Sequence, residues 1–346
     1  MHPIFALKLY TRMHLLPTFD KNLETVIFFA LAISAFVQLI YTLFIYRKLA
    51  FLKKKSGLSD HDLPPVSIII AARNEADNLF ENLPFILEQH YPQFEVIVIN
   101  HQSVDDSSHL LNAYTQQYPN LRVIEVNRNQ HLRPGKKLPI TLGIKGAKYD
   151  HLLLTDADCR PASNNWLRSM SSHFVPGKEI VLGYGPTNSA SGWLQDFIRY
   201  ETVLTAMQYM TYALAGIPYM GVGRNLMYKK SLFASVGGFD THKEVASGDD
   251  DLFIKDAATA RNTAICLDPN SFVYSDGKPT ISAFIKQKSR HISTSPRYKI
   301  QHIILLGLFA FANVGFWIML AFALVTGVFT MFGAVGIVLS KWIVQM

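Results

Sequence analysis

Cysteine is scarce in this 346-residue chain, which contains only Cys159 and Cys266. The two lie far apart and form no Cys-x-x-Cys pair, so the sequence supports neither a disulfide framework nor a cysteine zinc site. Such usage agrees with a reducing compartment. Acidic residues are fewer than basic ones, 26 against 33, which leaves a net charge of +7. Because the basic residues cluster beside apolar segments instead of alternating with aromatics, we expect no nucleic-acid binding.

Charge is absent from residues 26–46, an apolar segment about as long as a membrane-crossing helix. It is longer than the apolar core of a secretory signal and lacks a small-residue cleavage site, so a retained anchor is predicted after the N-terminal segment 1–25. A second apolar region, 303–344, has room for two short spans with a break near Thr326 and Gly327. One long span followed by an interfacial helix is the alternative.

Basic residues flank both apolar regions on the side of the central domain. Arg47, Lys48 and Lys53 to Lys55 follow the first span, within a basic linker 47–63, and Arg290, Arg297 and Lys299 precede the second. The positive-inside rule therefore predicts an integral protein of a bacterial-type inner (plasma) membrane with its central domain, 64–300, in the cytoplasm. The same charges can hold that domain against anionic lipid headgroups.

The central domain alternates short β-rich runs with amphipathic stretches, and no internal repeat is visible. Helices are expected at 77–89, 105–117 and 137–148, between successive strands. The pattern predicts an α/β fold with a mostly parallel sheet and right-handed crossovers. The expected strands are Val66–Ala72, Phe94–Asn100, Leu121–Val126 and His151–Thr155.

Two carboxylates, Asp156 and Asp158, follow the last of these strands directly. Ligands of open α/β sheets bind outside the carboxyl ends of the strands, and Mg²⁺ or Mn²⁺ prefers a few carboxylates plus phosphate oxygens. The pair therefore predicts a site for a metal-bound phosphate compound. Taken alone, the Asp-x-Asp spacing is equally compatible with helix capping or turn chemistry.

Four blocks of the central domain, in order, resemble the membrane-anchored members of the family 2 glycosyltransferases, which are inverting enzymes with a GT-A (Rossmann-like) fold. The resemblance implies a nucleotide-sugar-binding domain with N-terminal and C-terminal transmembrane helices. The blocks are 65–76, 135–138, 155–158 and a last one made of 221–226, 237–240 and 248–252.

Donor-binding roles follow from this resemblance. Asp158 and Asp156 become the metal ligands, and Glu75 is placed to accept a hydrogen bond from a ribose hydroxyl, or else to form a local ion pair. Asn100 and His101 stand where the family has an aspartate for the base, so the resemblance leaves UDP and GDP donors open. The residues assigned to the donor are Ala72, Arg73, Glu75, Asn100, His101, Lys136, Asp156 and Ala157.

The acidic run 249–251 resembles the catalytic-base motif of the family, with Gly248 in place of the usual glutamate. The resemblance makes Asp249 the base, with Asp250 beside it. Three consecutive carboxylates repel one another, so at least one pKa should be raised, as suits a proton acceptor. The alternative is that these residues only begin a helix that runs to about Ala260.

Residues 287–291, Gln-Lys-Ser-Arg-His, resemble the Gln-x-x-Arg-Trp motif of membrane-associated members. Gln287 and Arg290 are thereby placed near the acceptor and the diphosphate, which Arg290 can grip with two parallel hydrogen bonds. His291 replaces the aromatic platform, which favours single transfer over processive synthesis. The basic helix is alternatively a lipid-facing surface, and 193–216 is predicted as an amphipathic helix at headgroup level or an ordinary core helix.

The sequence thus predicts an inverting glycosyltransferase of cell-envelope glycan synthesis that uses Mn²⁺ or Mg²⁺. Its donor is expected to be a UDP- or GDP-sugar, and its acceptor a lipid or glycan at the cytoplasmic membrane face. Three alternatives stay open: a processive polysaccharide synthase of the same family, a nucleotidyltransferase, and a non-catalytic envelope scaffold. The scaffold is favoured only if Asp158 and Asp249 fail to converge on one cleft.

Overall fold

The computed structural model of the chain describes residues 21–52, 57–127, 135–188, 191–245, 247–327, 333 and 336–339. The chain divides into two compact units. One comprises Met1–Arg47 with Ile300–Met346, and the other is Lys48–Lys299. Each unit has its own architecture and is described by itself.

The first unit contains two long helices, α1 (Lys21–Tyr41) and α11 (Ile300–Val325). A π-helical turn, Thr42–Tyr46, and the short helix α2, Arg47–Ala50, extend α1. Thr25–Ala50 and Ile300–Val325 are each long and apolar enough to cross a membrane. This is a property of length and composition, which a buried core helix or a signal sequence can share.

The two long helices pack through a small apolar cluster that includes Ile27 and Phe316. Polar groups add to the contact, since Gln38 Nε2 donates to the carbonyl of Ala312 at 3.1 Å. Their other faces expose large apolar side chains such as Phe36 and Phe311. Helix α11 ends at the predicted break, where Gly327 has a positive φ of 73°. The second span predicted after it lies mostly outside the described residues.

The second unit is built on a seven-stranded mixed sheet with the strand order β3-β2-β1-β4-β7-β6-β8. The first four strands are parallel, β4 and β6 both pair antiparallel with β7, and β8 pairs parallel with β6. Two further strands, β5 (Cys159–Pro161) and β9 (Val273–Ser275), form a separate antiparallel pair. The seven strands are β1 Val66–Ala72, β2 Phe94–His101, β3 Leu121–Val126, β4 His151–Asp156, β6 Ile180–Leu182, β7 Leu226–Lys229 and β8 Thr263–Ile265.

Helices connect the strands, as parallel pairing requires. Short 3₁₀ turns occur at Asp60–Asp62, Gly223–Asn225, Asp240–His242, Pro269–Ser271 and Ser295–Arg297. The α-helices are α3 Ala76–Leu87, α4 Ser107–Gln117, α5 Lys137–Gly146, α6 Trp166–Ser171, α7 Trp193–Leu214, α8 Lys230–Ser235, α9 Asp251–Ala257 and α10 Ile281–Ile292.

The core of this unit lies on both faces of the parallel strands. Ile68 and Val96 are completely buried on one face, as is Trp166 of α6, and Ile69 and Ile97 are at most 1% exposed on the other. Burial from both sides explains why these strands are continuous apolar runs in the sequence. The predicted α/β fold with a mostly parallel sheet is confirmed, and all four predicted strands are present. Helix α9 ends at Ala257, earlier than the expected Ala260.

Candidate active site

The carboxyl ends of β1, β2 and β4 meet at one edge of the sheet. In the strand register, Ala72 of β1 is opposite Asn100, and Ala71 is opposite Asp156. Parallel pairing therefore brings the predicted donor-binding residues of three strands together, although they are far apart in the sequence.

Asp156 lies next to a lysine at this edge. Its Oδ1 accepts a hydrogen bond from Lys136 Nζ at 2.6 Å. Desolvation alone would raise the pKa of Asp156, but Lys136, Arg224 and Arg290 outweigh it and hold that pKa below its usual range. Asp156 is therefore an ionised carboxylate surrounded by three cations.

The donor set at the end of β4 fits a hard divalent cation. Ligand atoms of Asp156, Asp158 and Cys159 all lie within 4.8 Å of one another. Burial raises the pKa of the Cys159 thiol well above its ordinary value, and the two carboxylates raise it further, so the sulfur stays protonated. The usable ligands are thus two carboxylates, the oxygen set that Mg²⁺ or Mn²⁺ takes with phosphate and water.

Lys136 links the two acidic parts of the site. It precedes α5 directly and follows Gly135, whose φ of 153° is positive. Desolvation alone would lower the pKa of Lys136, but Asp156 and Asp249, with Asp158, outweigh it and raise that pKa. One ammonium group therefore interacts with the predicted metal ligands and with the predicted base.

The acidic run 249–251 divides into different environments. Burial raises the pKa of Asp249, and the positive charge of Lys136 only partly offsets the effect. Burial, followed by the charges of Asp249 and Asp251, raises the pKa of Asp250 to about 7. Both are therefore weaker acids than an ordinary aspartate, as the sequence predicted for at least one of them.

Asp250 makes the hydrogen bonds of a helix cap. Its Oδ1 accepts from the backbone N–H of Asp251 at 2.7 Å, and its Oδ2 accepts from the N–H of Gly223 at 2.9 Å. These contacts agree with the alternative interpretation of the acidic run, in which Asp250 only begins a helix. Gly248, just before the run, has a φ of 96°, and a Cβ there would lie 2.6 Å from Leu252. A side chain at position 248 would be strained and would clash with Leu252, which explains why glycine stands where the family usually has glutamate.

Asp251 was not anticipated as part of the site. It is only 6% exposed, and its Oδ2 accepts from Tyr298 Oη at 2.7 Å and from Thr294 Oγ1. Both donors lie just after α10. The side chain therefore fastens the helix that follows the predicted base to the segment that follows Gln287 and Arg290.

Helix α10 carries the predicted Gln287 and Arg290. Thr280 caps it by accepting from the N–H of Ala283 at 3.2 Å. Arg290 is exposed, and its positive charge lowers the pKa of Asp156. Gln287, one turn earlier, is half-buried. Desolvation, then Lys288 and Arg290, lower the pKa of His291 to about 4, so this ring is neutral at physiological pH.

The turn after β2 is cross-linked to the turn after β1. Asn74, with a φ of 54°, donates its N–H to Ser103 Oγ at 2.9 Å and accepts at Oδ1 from the N–H of Val104 at 2.9 Å. Asp105 accepts from the N–H of Ala76 at 3.0 Å. A left-handed non-glycine residue held by such a network is a rigid feature at the edge where the donor residues lie.

Asn100 and His101 differ in how much of their hydrogen-bonding capacity is used. The amide of Asn100 donates to Ser108 Oγ at 2.8 Å and to Glu125 Oε1 at 3.2 Å, and it also accepts from Ser103. His101 is 3% exposed, and within the described part of the chain its Nε2 is buried with no hydrogen-bond partner. His101 therefore has the free polar atom that a ligand would satisfy.

Arg73 and Glu75 flank the same edge. Burial, more than any neighbour, raises the pKa of Glu75, while the amide of Asn78 donates to its Oε2 at 2.5 Å and partly offsets the shift. The charge of Asp158 also raises that pKa, so Glu75 faces the acidic pair. Burial and, after it, the positive charge of Arg73 lower the pKa of His101.

Arg224 and Asn225 lie in the turn before β7. The sequence block 221–226 includes both, but neither was predicted to have a role in the site. Arg224 donates to Ser275 Oγ at 2.7 Å and lowers the pKa of Asp156. A Cβ on Gly185 would lie 2.5 Å from Arg224 Nε, so glycine makes room for the guanidinium. The only sequence signal was the position of this cation inside the block 221–226.

Asn225 is completely buried, and its side chain forms hydrogen bonds to three segments of the chain. Its Oδ1 accepts from Trp166 Nε1 at 3.0 Å, and its Nδ2 donates to the carbonyls of Tyr184 and Ser271, both at 2.8 Å. A Cβ on Gly183 would lie 2.4 Å from this amide. The side chain thus joins α6, the segment after β6 and the turn before β9.

A mixed sheet of this order, with an acidic pair after β4 and a second acidic run before α9, defines a glycosyltransferase of the GT-A type. The family model of glycosyl transferase family 21 matches residues 27–346, and the chain belongs to this family. The predicted class and GT-A fold are thereby confirmed. The family shown is 21, whereas the sequence blocks were compared with family 2.

Curated relatives are 25–29% identical to the chain over the regions that align. The probable glycosyltransferase YdaM of Bacillus subtilis is 25% identical over 195 residues, 52% of this chain and 44% of YdaM. Glycosyltransferase AglE of Haloferax volcanii is 29% identical over 203 residues, 57% and 62% of the two chains. The poly-beta-1,6-N-acetyl-D-glucosamine synthase of Staphylococcus epidermidis is 29% identical over 208 residues, 58% and 48%. The chain spans about half the length of these relatives.

Among solved structures, mannosyltransferase PcManGT from Pyrobaculum calidifontis, in complex with GDP-Man and Mn²⁺, superimposes with a TM-score of 0.62. The match covers 94% of this chain and 92% of PcManGT, with 20% identity. At this identity the likeness shows a shared fold.

Proposed function

We propose that this protein transfers one sugar from a nucleotide-diphosphate donor to a hydroxyl group of a lipid or glycan, by direct displacement with inversion. The observation that carries the proposal is the position of Lys136, which bonds Asp156 at 2.6 Å and interacts electrostatically with Asp249. One ammonium group thus interacts with a donor-side carboxylate and with the base. This convergence argues against the scaffold alternative.

On the donor side, Asp156 and Asp158 would hold the divalent metal, Mn²⁺ or Mg²⁺. When bound, the metal supplies positive charge to the leaving diphosphate. Lys136 keeps Asp156 ionised and positioned, and Arg224 and Arg290 add positive charge beside it. Preorganised charge of this kind stabilises the transition state without reorganisation during the reaction.

On the acceptor side, Asp249 takes the proton of the attacking hydroxyl. Its raised pKa suits this role, because a base works best when its pKa approaches the working pH. Asp250 has both carboxylate oxygens bonded to backbone N–H groups, so its contribution is to hold the turn that carries Asp249. A nucleotidyltransferase would need neither this base nor the Gln-x-x-Arg motif.

The donor base is assigned to the edge that carries His101. The buried Nε2 of His101, which has no hydrogen-bond partner among the described residues, can accept from or donate to a base edge. Asn100 stabilises the adjacent turn through its hydrogen bond to Ser108. Either a uracil or a guanine can satisfy such a group. Arg73 is assigned to phosphate and Glu75 to ribose. Ala72, at the end of β1, and Ala157, just after β4, are assigned to the wall of the donor site.

A membrane location at the cytoplasmic face is part of the proposal. Helices α7 and α10 contact each other through Phe197 and Phe284, whose ring centroids are 5.8 Å apart, and Lys288 pairs with Glu201. Both helices expose large apolar side chains, and α10 has basic ones beside them, as surfaces that enter a headgroup layer do. The exposed apolar residues are Trp193, Phe197, Tyr200, Ile281, Ile285 and Ile292.

These helix faces, together with two helices long enough to cross a bilayer, support a lipid or a membrane-borne glycan as the acceptor. His291 in place of an aromatic platform supports a single transfer. The similarity to a poly-beta-1,6-N-acetyl-D-glucosamine synthase keeps processive synthesis as the second candidate.

The test is nucleotide release by the detergent-purified chain from UDP-, GDP- and TDP-sugars, GDP-mannose included, with Mn²⁺ or Mg²⁺ and lipid acceptors. We expect metal-dependent release from one donor. Asp249→Asn should lower it by about 10²- to 10⁴-fold, the usual contribution of a general base.

The matched control is Glu81→Gln, which removes an exposed carboxylate from α3, outside the four sequence blocks, and should leave release unchanged. Absence of release from every donor by folded protein would overturn the proposal. Release unaffected by Asp249→Asn would remove the assigned base.

A further inference from the structure

The backbone segment 240–245, which leads toward the base, is held by a lysine that the proposed chemistry does not use. Lys137 Nζ donates to the carbonyl of His242 at 2.5 Å and to that of Val245 at 2.9 Å. The His242 carbonyl also accepts from the N–H of Val245. The acceptors belong to a 3₁₀ turn, Asp240–His242, and the residues just after it.

Carbonyl groups at the end of a helical turn point away from it and can accept further hydrogen bonds. A lysine ammonium near such an end can bond to these carbonyls and interacts favourably with their partial negative charge. Lys137 lies more than 100 residues before this segment in the chain. Its contact is therefore a tertiary bond, not a consequence of local folding.

The other side of the same segment is fixed to α9. Thr241 Oγ1 donates to Asp256 Oδ2 at 2.7 Å and lies 2.8 Å from His242 Nδ1. His242 is 3% exposed. The segment is thus held between α9, which begins directly after the base, and the first residue of α5.

Lys136 and Lys137 are neighbours with different partners. Lys136 reaches Asp156 on the donor side, while Lys137 reaches the segment before Asp249. Successive side chains on a helix diverge by about 100°, so two adjacent residues can contact different segments of the chain. The start of α5 is therefore bonded to Asp156 on the donor side and to the backbone of the segment before Asp249.

We propose that Lys137 is a positioning residue that holds the segment 240–245, and thereby places Asp249, against the donor-binding edge of the sheet. It does not touch donor or acceptor. The inference rests on the proposed function for its consequence in catalysis, but its structural part can be measured without any activity.

The structural test is amide hydrogen exchange of the full chain in detergent, comparing wild type with Lys137→Met. We expect amides of 242–248 to exchange about tenfold faster or more in the variant, while those of β4 do not change. The matched control is Lys145→Met, which removes an exposed lysine from the same helix and should leave this segment unchanged. Equal exchange in Lys137→Met and wild type would overturn the inference.

The kinetic test separates positioning from donor binding. Lys137→Met should lower kcat for transfer by about tenfold or more, with metal-dependent UDP or GDP binding within about threefold of wild type, and Lys137→Arg should recover most of the rate. A parallel loss of binding would make Lys137 a donor ligand and contradict the assignment. If no donor is turned over by wild type, the proposed function fails while the exchange result still decides the role of Lys137.

Discussion

The two halves of the catalytic sheet are held together differently. The donor half, β1 to β4, consists of strands of 6–8 residues in an unbroken parallel register. The base half, β6 to β8, has strands of only 3–4 residues. There, buried side chains such as Asn225 and Asp251 bond to segments more than 40 residues away. Regular backbone hydrogen bonds between strands stabilise the donor half, whereas hydrogen bonds of individual side chains stabilise the base half.

This difference implies different sensitivity to mutation. A ladder distributes its stability over many backbone bonds, whereas a side-chain connection can be removed by one substitution. Point changes should therefore damage the base half more selectively. Four substitutions can break or sharpen this comparison.

The largest effect is expected from Arg290, which lies in the base half and is proposed to act on the donor side. Arg290→Met should lower transfer by about 10²- to 10³-fold, because a donor to the leaving group is lost. Arg290→Lys should fall between wild type and Arg290→Met, since it keeps the charge without the fork geometry. Lys286→Met removes an exposed cation from the same helix and serves as the control. Equal losses in the two methionine variants, read from initial rates, would make Arg290 part of a general basic surface.

The donor half was largely predictable from the sequence. The limits of β1 and β3 agree with the predicted ones, and β2 and β4 are each one residue longer. Strands buried on both faces are continuous apolar runs, and helices separate them at regular intervals. Asp156 was identifiable for the same reason, because it ends such a run.

The base half was predictable only where a motif marks it. The acidic run at Asp249 was recognisable, but strands of three residues have no detectable periodicity. The roles of Asn225 and Asp251 depend on partners brought together by the fold, and no local pattern reports such a bond. Lys137 follows Lys136 in the same motif, and only tertiary structure separates their roles.

The second effect concerns Asn225. Asn225→Ala should lower the free energy of unfolding by about 3 kcal/mol, because the buried Trp166 N–H and two backbone carbonyls lose their partner. The urea midpoint of the detergent-purified chain measures this. Asn188→Ala removes an exposed amide bonded to Asp276 and should cost about 0.5 kcal/mol or less. Similar losses in both variants would show that the base half does not depend on Asn225.

The third effect is a pH dependence of stability that arises from Asp250. Unfolded Asp250 ionises near 3.8, whereas burial and the neighbouring carboxylates keep it protonated in the folded protein up to a pKa of about 7. Its contribution is therefore fully present below about pH 4 and is lost as pH rises through 7. Asp250→Asn should remove this decline, on the order of 2 kcal/mol, from the stability curve between pH 4 and 7.

Melting temperatures of wild type and Asp250→Asn across that range measure the difference. Asp240→Asn, an exposed carboxylate in the same loop, should follow the wild-type curve. A wild-type curve parallel to that of Asp250→Asn would mean that Asp250 is ionised in the folded protein throughout the range.

The smallest effect is expected at the Asp251 connection. Tyr298→Phe removes one hydrogen bond to a buried carboxylate and should cost about 1–2 kcal/mol of stability. Thr294 still bonds Asp251, so the variant should remain folded. Tyr200→Phe, on an exposed face of α7, is the control and should be neutral in the same denaturation assay. A neutral Tyr298→Phe would show that Thr294 alone holds this segment.

The most direct measurement of the division between the two halves is Mn²⁺-dependent binding of UDP and GDP to Asp158→Asn and Asp249→Asn, with transfer measured in the same preparations. The account predicts that Asp158→Asn loses nucleotide binding and transfer together, whereas Asp249→Asn binds nucleotide like wild type and loses only transfer. Normal metal-dependent binding by Asp158→Asn, or equal loss of binding in both variants, would contradict it.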